Sequence, residues 1–451
     1  MASGYAILAL MVLYIIVCTA ILYYCVIADP NKNDTAFYVT ATLPQKIWDR
    51  MGKVLGQKKL NMLASVMDLA LVFVYFAVVL GCWVVVFMYI YPWITESSYV
   101  SNFHKFLGYA VFVACFSSWR LTNKSSPGII TESTFSRYNH YPYDNLLFVP
   151  GRRCDSTNLI RIARSKFDRL KYDQNVPRYD HFCGWVHNTI GEENYRFFLL
   201  FLAVHVGMCV YGSTVTILLF RGEIISKELL QLTFFDRATG ETFKADWSIV
   251  MQYLFTRRMA ECCVLAVMFV MGIALACFLG YHVYLTTYNL TTNEASKWQD
   301  VKEWYKKEKK KYDDAVKKGI VTTETDPSAG GGSTTANADG ARNSLEVNDD
   351  DVTCTPGVGN SSSNNSPSRS RGVASGAPKL RDPGPVPKNL YDRGFIENWK
   401  EVIFPISLRK ETLDRIAGAA TSSGSDDQPK SEGEGKSRPV KRARGRKPKV
   451  T

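Results

Sequence analysis

The sequence predicts an α-helical polytopic membrane protein with about five transmembrane helices and a compact, loop-rich cytoplasmic module between the third and fourth. Apolar residues make up 46% of the chain and are concentrated in long runs nearly free of charge. A helix needs about 20 such residues to cross the hydrocarbon core of a bilayer. Four runs reach that length: residues 5–28, 69–92, 197–220 and 262–285.

A fifth run, residues 106–119, has only 14 residues and by itself could form a buried or interfacial helix instead. The charge distribution favours a span, because cytoplasmic loops carry an excess of Lys and Arg. Segments 29–62 and 120–196 hold six and twelve basic residues, whereas segment 93–105 holds one. Placing both basic segments on one side of the membrane requires two crossings between them. The sequence therefore predicts five spans, with the N-terminus on the lumenal or outer side.

The first run is predicted to be a signal anchor, because it lacks a basic start and is too long for a cleaved signal peptide. The whole chain divides into seven predicted segments. They are three transmembrane helices with a basic cytoplasmic loop at 29–62 (1–119), the cytoplasmic module (120–196), two transmembrane helices (197–285), a juxtamembrane helical segment (286–323), a disordered linker (324–388), a segment where apolar residues return (389–407) and a disordered basic tail (408–451). Tethered to a membrane protein, the tail is expected to lie near anionic lipid, and no nucleic-acid partner is expected.

Cysteine usage indicates neither a disulfide scaffold nor a thiolate zinc site. Eight of the eleven cysteines lie in or beside predicted spans, where Cys behaves as a small apolar residue. Only Cys154, Cys183 and Cys354 lie in polar segments, and the chain contains no Cys-x-x-Cys pair.

The segment Asp180-His181-Phe182-Cys183 brings together three residue types that cysteine chemistry requires. A thiol attacks as the thiolate, so a nucleophilic Cys needs a base, and the base needs an orienting partner. In a tight turn, His181 could take the proton of Cys183 while Asp180 fixes its tautomer. On these four residues alone, a buried Cys beside a surface ion pair is the better interpretation.

The flanking residues favour the catalytic interpretation instead. Six residues beyond Cys183 occur at a distinctive spacing: Trp185, Asn188, Ile190, Gly191, Asn194 and Phe198. Thr291-Thr292-Asn293-Glu294 follows the last predicted span, and an aromatic-rich segment at 389–399 ends near Asn398. Together these motifs closely resemble those of the DHHC-type protein S-acyltransferases (palmitoyltransferases): the Asp-His-His-Cys signature, the TTxE motif and the C-terminal aromatic motif. Residues 120–196 would then be the catalytic module.

The resemblance implies a role for each matching residue. Cys183 would be the nucleophile that takes the acyl group from palmitoyl-CoA, His181 its general base, and Asp180 the residue that orients His181. Supporting roles would fall to Thr291, Thr292, Asn398, Trp185 and Asn188. Four basic residues could meet the CoA phosphates or be ordinary cytoplasmic-side charge: Arg161, Arg164, Lys166 and Arg178.

The sequence departs from the family at its two zinc sites. The family's ligand positions are occupied here by Cys154, Thr157, Phe167, Asp168, Lys171, Gln174, Phe182 and Thr189. We therefore expect zinc to be absent, and we expect aromatic packing to replace it through Phe167, Tyr172, Tyr179 and Phe182.

The resemblance implies an enzyme that transfers long-chain acyl groups from acyl-CoA to cysteines of membrane proteins, close to their transmembrane segments. It would be a multi-pass protein of the endoplasmic reticulum or Golgi membrane, with its active site on the cytoplasmic side. The alternative is a catalytically inactive scaffold or adaptor with the same fold. A transporter is disfavoured, because the predicted spans contain no acidic residue and only His205 and His282 as titratable candidates.

Overall fold

The computed structural model describes residues 47, 50–54, 56–235, 240–318 and 381–414, and most of its secondary structure is helical. The predicted first span, most of the predicted linker and most of the basic tail lie outside these residues. The helices are α1 (Gln57–Val85), α2 (Tyr91–Glu96), α3 (Phe103–Lys124), α4 (Phe135–Tyr138), α5 (Tyr195–Ser226), α6 (Trp247–Arg257), α7 (Met259–Thr287), α8 (Thr292–Lys317) and α9 (Phe395–Ile403).

Three helices in the described part of the chain are long and apolar enough to cross a membrane: Leu69–Glu96, α5 and α7. The first of them joins α1 to α2 through a π-helical turn at Val86–Ile90. These helices contain three of the predicted spans, so the predicted class of helical membrane protein is confirmed. Helix α3 contains the short run at 106–119 and has 22 residues. It is not among the three apolar helices, and its crossing of the membrane stays a prediction.

Close packing between spans depends on small residues. A Cβ atom added to Gly212 in α5 would lie 2.5 Å from the sulfur of Met268 in α7. One added to Gly272 in α7 would lie 3.1 Å from the Cβ atom of Cys209 in α5. In a bilayer, helices associate through such close contacts, because lipid tails are as apolar as the side chains themselves.

The segment between α3 and α5 contains two short antiparallel hairpins. In the first, β1 (Lys166–Asp168) pairs with β2 (Gln174–Val176). In the second, β3 (His181–Cys183) pairs with β4 (Asn188–Ile190). The second hairpin runs directly into the start of α5, which places residues 180–190 at one end of the spans.

The far ends of α5 and α7 are joined by a 3₁₀ turn (Leu229–Gln231), a hairpin of β5 (Thr233–Phe235) and β6 (Thr242–Lys244), and helix α6. On the side of the second hairpin, α8 begins five residues after α7 ends. The chain returns there as α9, followed by a 3₁₀ turn at Ile406–Leu408. Asn398 in α9 donates to the backbone oxygen of Thr287, the last residue of α7 (2.8 Å).

Gly191, which follows β4, is predicted to be intolerant of any side chain. A Cβ atom there would lie 2.9 Å from the backbone oxygen of Pro127 and 3.0 Å from that of Pro177. Backbone atoms cannot easily retreat, so Gly191→Ala should lower the free energy of unfolding by about 1–3 kcal/mol. Thermal unfolding in detergent measures this. Gly207→Ala in α5 is the control, because nothing lies within 4 Å of its added Cβ. Equal stability of the two variants would contradict the prediction.

Candidate active site

The β3–β4 hairpin sets the directions of the Asp-His-Phe-Cys residues. Successive side chains of a strand point to opposite faces, so His181 and Cys183 share one face and Phe182 lies on the other. The Phe182 ring packs edge-on against His187, with ring centroids 5.9 Å apart. A phenylalanine therefore replaces the family's second histidine on the side away from the His181–Cys183 pair.

Asp180 is a buried carboxylate held by three donors. His181 Nδ1 lies 2.6 Å from Asp180 Oδ2, and the backbone N–H of Thr292 donates to Oδ1 at 2.7 Å. The Thr292 hydroxyl donates to Oδ2 at 3.0 Å. Burial by itself would raise the pKa of Asp180, but the hydrogen bonds from His181 and Thr292 lower it to about 2. Asp180 is therefore an anion that fixes the orientation and tautomer of His181.

His181 lies between Asp180 and the thiol of Cys183. Burial would lower the pKa of His181, but hydrogen bonds with Asp180 and Cys183 outweigh it and raise the pKa to about 10. The imidazole can therefore hold the proton of the thiol, so that the sulfur attacks as a thiolate. The Cys183 side chain is largely buried, in an apolar cluster with Tyr195, Phe198 and Phe201 of α5.

The Thr-Thr-Asn-Glu motif forms the first turn of α8. Thr291 is the N-cap: its hydroxyl accepts from the backbone N–H of Glu294, and the Glu294 carboxylate accepts from the backbone N–H of Thr291. A helix N-terminus favours a nearby anion. Thr292, at this end of the helix, donates twice to Asp180. Thr291 thus caps the helix, and Thr292 lies against Asp180.

The other predicted supporting residues lie close by, with different contacts. Asn188 is fully buried and donates to the backbone oxygens of Thr122 and Ser125, both at 2.8 Å, which joins the hairpin to the end of α3. Trp185 has 45% of its surface exposed, and its backbone oxygen accepts from the indole N–H of Trp119. Asn398 joins α9 to the end of α7 by donating to the backbone oxygen of Thr287.

A buried charge cluster lies beneath the site. The guanidinium of Arg164 makes two bonds to the Glu294 carboxylate, both 2.7 Å long. It also donates to the side-chain oxygen and the backbone oxygen of Asn289. Glu401 lies 3.5 Å from Arg164 and 3.8 Å from Arg178. The rings of Tyr141 and Tyr391 cover the guanidinium at 4.9 and 4.4 Å from their centroids.

This cluster contains two of the four basic residues for which the sequence suggested contact with the CoA phosphates. The side chains of Arg164 and Arg178 are 0% and 2% exposed, and both are occupied by Glu401 and Asn289. They hold the interior of the protein together and cannot meet a phosphate from solution, so for these two residues the expectation is wrong. Arg161 and Lys166 are half-buried, and the ammonium of Lys166 lies 5.4 Å from the ring centroid of Tyr179. For Arg161 and Lys166 the contact with CoA stays a prediction.

The residues at the family's first zinc site form a hydrogen-bonded group instead. Asn175 donates to the hydroxyl of Thr157 at 2.8 Å. Burial would raise the pKa of Cys154, yet hydrogen bonds from Thr157 and Asn175 lower it. This group contains one soft ligand, whereas a structural zinc ion requires four Cys or His ligands.

The second zinc position is also occupied by hydrogen bonds. Thr189 donates to the carboxylate of Asp168 at 2.7 Å, and both stand at former ligand positions. The same carboxylate accepts from the backbone N–H groups of Leu170 and Tyr172. Lys171 donates to the backbone oxygen of His187. These residues do not fit zinc, and no group of three or more His, Cys, Asp or Glu able to hold a metal occurs among the described residues. Hydrogen bonds thus join several of these positions, and the packing of aromatic residues in place of zinc stays a prediction.

The geometry defines a class of protein: a helical membrane protein with a Cys-His-Asp group at one end of its spans. Residues 148–299 match the family model described as "DHHC palmitoyltransferase". Palmitoyltransferase SWF1 of Yarrowia lipolytica is 29% identical over 214 residues, which are 47% of this chain and 53% of that protein. Palmitoyltransferase ZDHHC4 of Mus musculus is 33% identical over 187 residues, 41% of this chain and 51% of that protein.

Residues 148–299 therefore match a DHHC palmitoyltransferase domain, and the resemblance inferred from the motifs is confirmed. The chain spans about half the length of the curated relatives it matches. Matched residues 148–299 include Arg164, the Asp-His-Phe-Cys segment and the Thr-Thr-Asn-Glu motif.

Sequence reasoning missed several residues that the structure brings to the site. Glu401 and Asn289 belong to the buried cluster, His282 lies beside His181, and Tyr195 contacts His282. A signal was present for two of them. Glu401 lies on the same face of a short amphipathic helix as Asn398, and His282 is a polar residue in an apolar span, which is costly unless it has a partner.

The Arg164–Glu294 pair should dominate the stability of the module. Glu294→Gln keeps the shape of the side chain but leaves a buried guanidinium without its main counter-charge. We expect the free energy of unfolding to fall by about 3–5 kcal/mol. Glu397→Gln is the matched control, because its partner Lys400 lies 3.5 Å away and both side chains are about half exposed. Thermal unfolding in detergent compares them, and similar melting temperatures would argue against this role of the pair.

The zinc positions give a separate prediction. Purified protein should contain far less than one zinc ion per chain by elemental analysis, and a chelator should leave its melting temperature unchanged. Thr189→Val should lower the free energy of unfolding by about 1–3 kcal/mol, because the buried Asp168 carboxylate loses a donor. Stoichiometric zinc in the purified protein would disprove the prediction.

Proposed function

We propose that this protein is a protein S-acyltransferase that moves a long-chain acyl group from acyl-CoA to cysteines of membrane proteins through an acyl-Cys183 intermediate. The observation that supports it best is the hydrogen-bonded series Thr292–Asp180–His181 at the end of the spans, with Cys183 on the same strand face as His181. A nucleophile, its base and the residue that orients the base are the parts that acyl transfer through a thioester requires. The names of the similar palmitoyltransferases agree with this chemistry.

In the first step, the Cys183 sulfur attacks the carbonyl carbon of the acyl-CoA thioester while His181 holds the thiol proton. The bond from the carbonyl carbon to the CoA sulfur breaks, and the departing CoA thiolate receives the proton from His181. Asp180 stays ionised throughout and stabilises the imidazolium while the proton is on His181. One thioester replaces another, so no oxidant, metal or water is consumed.

In the second step, the thiol of the substrate protein gives its proton to His181 and attacks the carbonyl carbon of acyl-Cys183. The Cys183 sulfur leaves and recovers the proton, which restores the starting state. Access by a substrate cysteine requires that it lie near the membrane surface, because Cys183 packs against residues at the start of α5. Membrane proteins with cysteines beside their spans fit this requirement.

The acyl chain needs an apolar environment, since each buried methylene group contributes about 0.8 kcal/mol. Cys183 belongs to a cluster whose other buried members include Tyr75, Phe198, Phe201 and Leu202 from the spans. We propose that the acyl chain lies among these helices and that palmitoyl-CoA is the donor. We also propose that the active site faces the cytoplasm, where acyl-CoA is available, in a membrane of the endoplasmic reticulum or Golgi.

Replacement of the nucleophile tests the proposal. Protein in native-like membranes should become labelled by a clickable palmitoyl-CoA analogue, and neutral hydroxylamine should release the label because a thioester holds it. Cys183→Ser should remove the hydroxylamine-sensitive label, whereas Cys277→Ser, an exposed cysteine in α7, should keep it. Equal labelling of Cys183→Ser would show that another residue is the nucleophile. Absence of label from the unmodified protein would favour the inactive scaffold.

A further inference from the structure

His282 is a buried titratable residue in α7 that the proposed reaction does not use. Only 1% of its surface is exposed, and its Nδ1 atom lies 2.9 Å from the hydroxyl of Tyr195 in α5. A polar side chain within an apolar span is costly unless it is bonded, and such residues are commonly functional. The hydroxyl of Tyr195 meets the bonding requirement. It leaves open why a histidine, and not an apolar ring, occupies this position.

The surroundings of His282 explain its presence. Its ring centroid lies 5.9 Å from that of His181, with the planes inclined by 38°. Phe198 packs edge-on against both imidazoles, at 5.1 Å from His181 and 5.0 Å from His282. Phe278 also packs edge-on against His282, with ring centroids 4.7 Å apart. His282 and Phe198 thus form two walls against which the catalytic imidazole rests.

Tyr195 connects these walls to the buried charge cluster. Its side chain is fully buried, and the guanidinium of Arg178 lies 5.3 Å from its ring centroid. Because Arg178 is fixed by Asn289 and Glu401, Tyr195 has a rigid support on its ring face. The tyrosine hydroxyl then fixes the rotation of the His282 ring. A phenylalanine at position 282 would fill the same space but would lack this bond.

The catalytic histidine needs such support. Asp180 holds His181 by one bond at Nδ1, about which the ring can still tilt. Productive transfer requires Nε2 to stay directed at the Cys183 sulfur, and a misplacement of about 1 Å can cost on the order of 100-fold in rate. Walls on the faces and edges of the ring restrict that tilt.

Resting on the function proposed above, we infer that His282, fixed by Tyr195, is a positioning residue for acyl transfer: its ring keeps the His181 imidazole between Asp180 and Cys183. In this role His282 needs no contact with the thiol or with the acyl donor. It acts through His181, and the support passes from Arg178 to Tyr195, then to His282 and the catalytic ring.

Two measurements on the full-length protein in detergent test this inference. The first is single-turnover acylation of Cys183 at varied concentrations of palmitoyl-CoA, which gives a maximal rate and a half-saturating concentration. The second is the rate at which iodoacetamide alkylates Cys183, followed by mass spectrometry of its peptide with the exposed Cys277 as internal reference. Alkylation needs no acyl donor, so it reports on the His181–Cys183 pair even if acyl-CoA is not the substrate.

Removing the ring is expected to reduce both rates. His282→Asn retains a polar group near Tyr195 but has no ring, and its maximal acylation rate should fall by about tenfold or more with an unchanged half-saturating concentration. The alkylation rate of Cys183 should fall as well. His282→Phe restores the ring and should recover part of both losses. Tyr195→Phe should slow acylation, with little further loss when combined with His282→Phe, because the two residues act as one unit.

His205→Asn is the matched control. His205 is also a buried span histidine bonded to a tyrosine, with Nε2 lying 3.0 Å from the hydroxyl of Tyr75, but it has no contact with His181. The His205→Asn variant should have a melting temperature lowered about as much as that of His282→Asn, but its alkylation rate at Cys183 should be unchanged. Equal effects of His205→Asn and His282→Asn on both rates would overturn the inference. So would a normal alkylation rate in His282→Asn.

Failure of the proposed function would give a different result: the unmodified protein would not be acylated. The comparison of alkylation rates would still decide the role of His282.

Discussion

The burial of one guanidinium group constrains the architecture of this protein around its candidate site. Arginine cannot lose its proton in a protein, so Arg164 can be buried only where anions and acceptors surround it. Glu294 supplies the anion from α8, Asn289 supplies two oxygens from the turn after α7, and Glu401 adds charge from α9. Three distant parts of the chain must therefore meet at one point: the segment that carries Arg164, the start of α8 with the turn before it, and α9. Without this meeting the charge of Arg164 would be buried without compensation.

The catalytic geometry follows from that meeting. Glu294 and Thr292 lie in the same first turn of α8, so the bond that fixes Glu294 to Arg164 also fixes the donors that hold Asp180. Arg178, on the other side of the cluster, supports the ring of Tyr195. The charge cluster thus reaches His181, the proposed general base, from two directions: through Thr292 and Asp180, and through Tyr195 and His282. The arginines of this cluster are buried and paired with carboxylates. Any contact with the CoA phosphates would therefore need other cations that solvent can reach.

The hairpins show how the module keeps its shape where the family's metal ligands are missing. The Asp168 carboxylate accepts from the Thr189 hydroxyl and from two backbone N–H groups. Asn175 donates to Thr157 in the group that includes Cys154. Each bond contributes modestly, on the order of 1 kcal/mol. Because such bonds close the hairpins only locally, the module depends on the Arg164 cluster and on Asn188 to hold the hairpins to the helices.

The sequence by itself determined the three apolar spans of the described chain, because length and freedom from charge are local properties. It also determined the resemblance to the DHHC palmitoyltransferases, since the spacing of residues after Cys183 and the Thr-Thr-Asn-Glu motif can be recognised without coordinates. The partners of Arg164 and Arg178 could not be found in this way. Both look like cytoplasmic cations in the sequence, and only the tertiary structure buries them, because their counter-charges Glu294 and Glu401 are more than 100 positions away. The same holds for His282, whose relation to His181 exists only after α7 packs against α5. Long-range pairing of buried charge and rings has no local pattern, so the fold had to decide it.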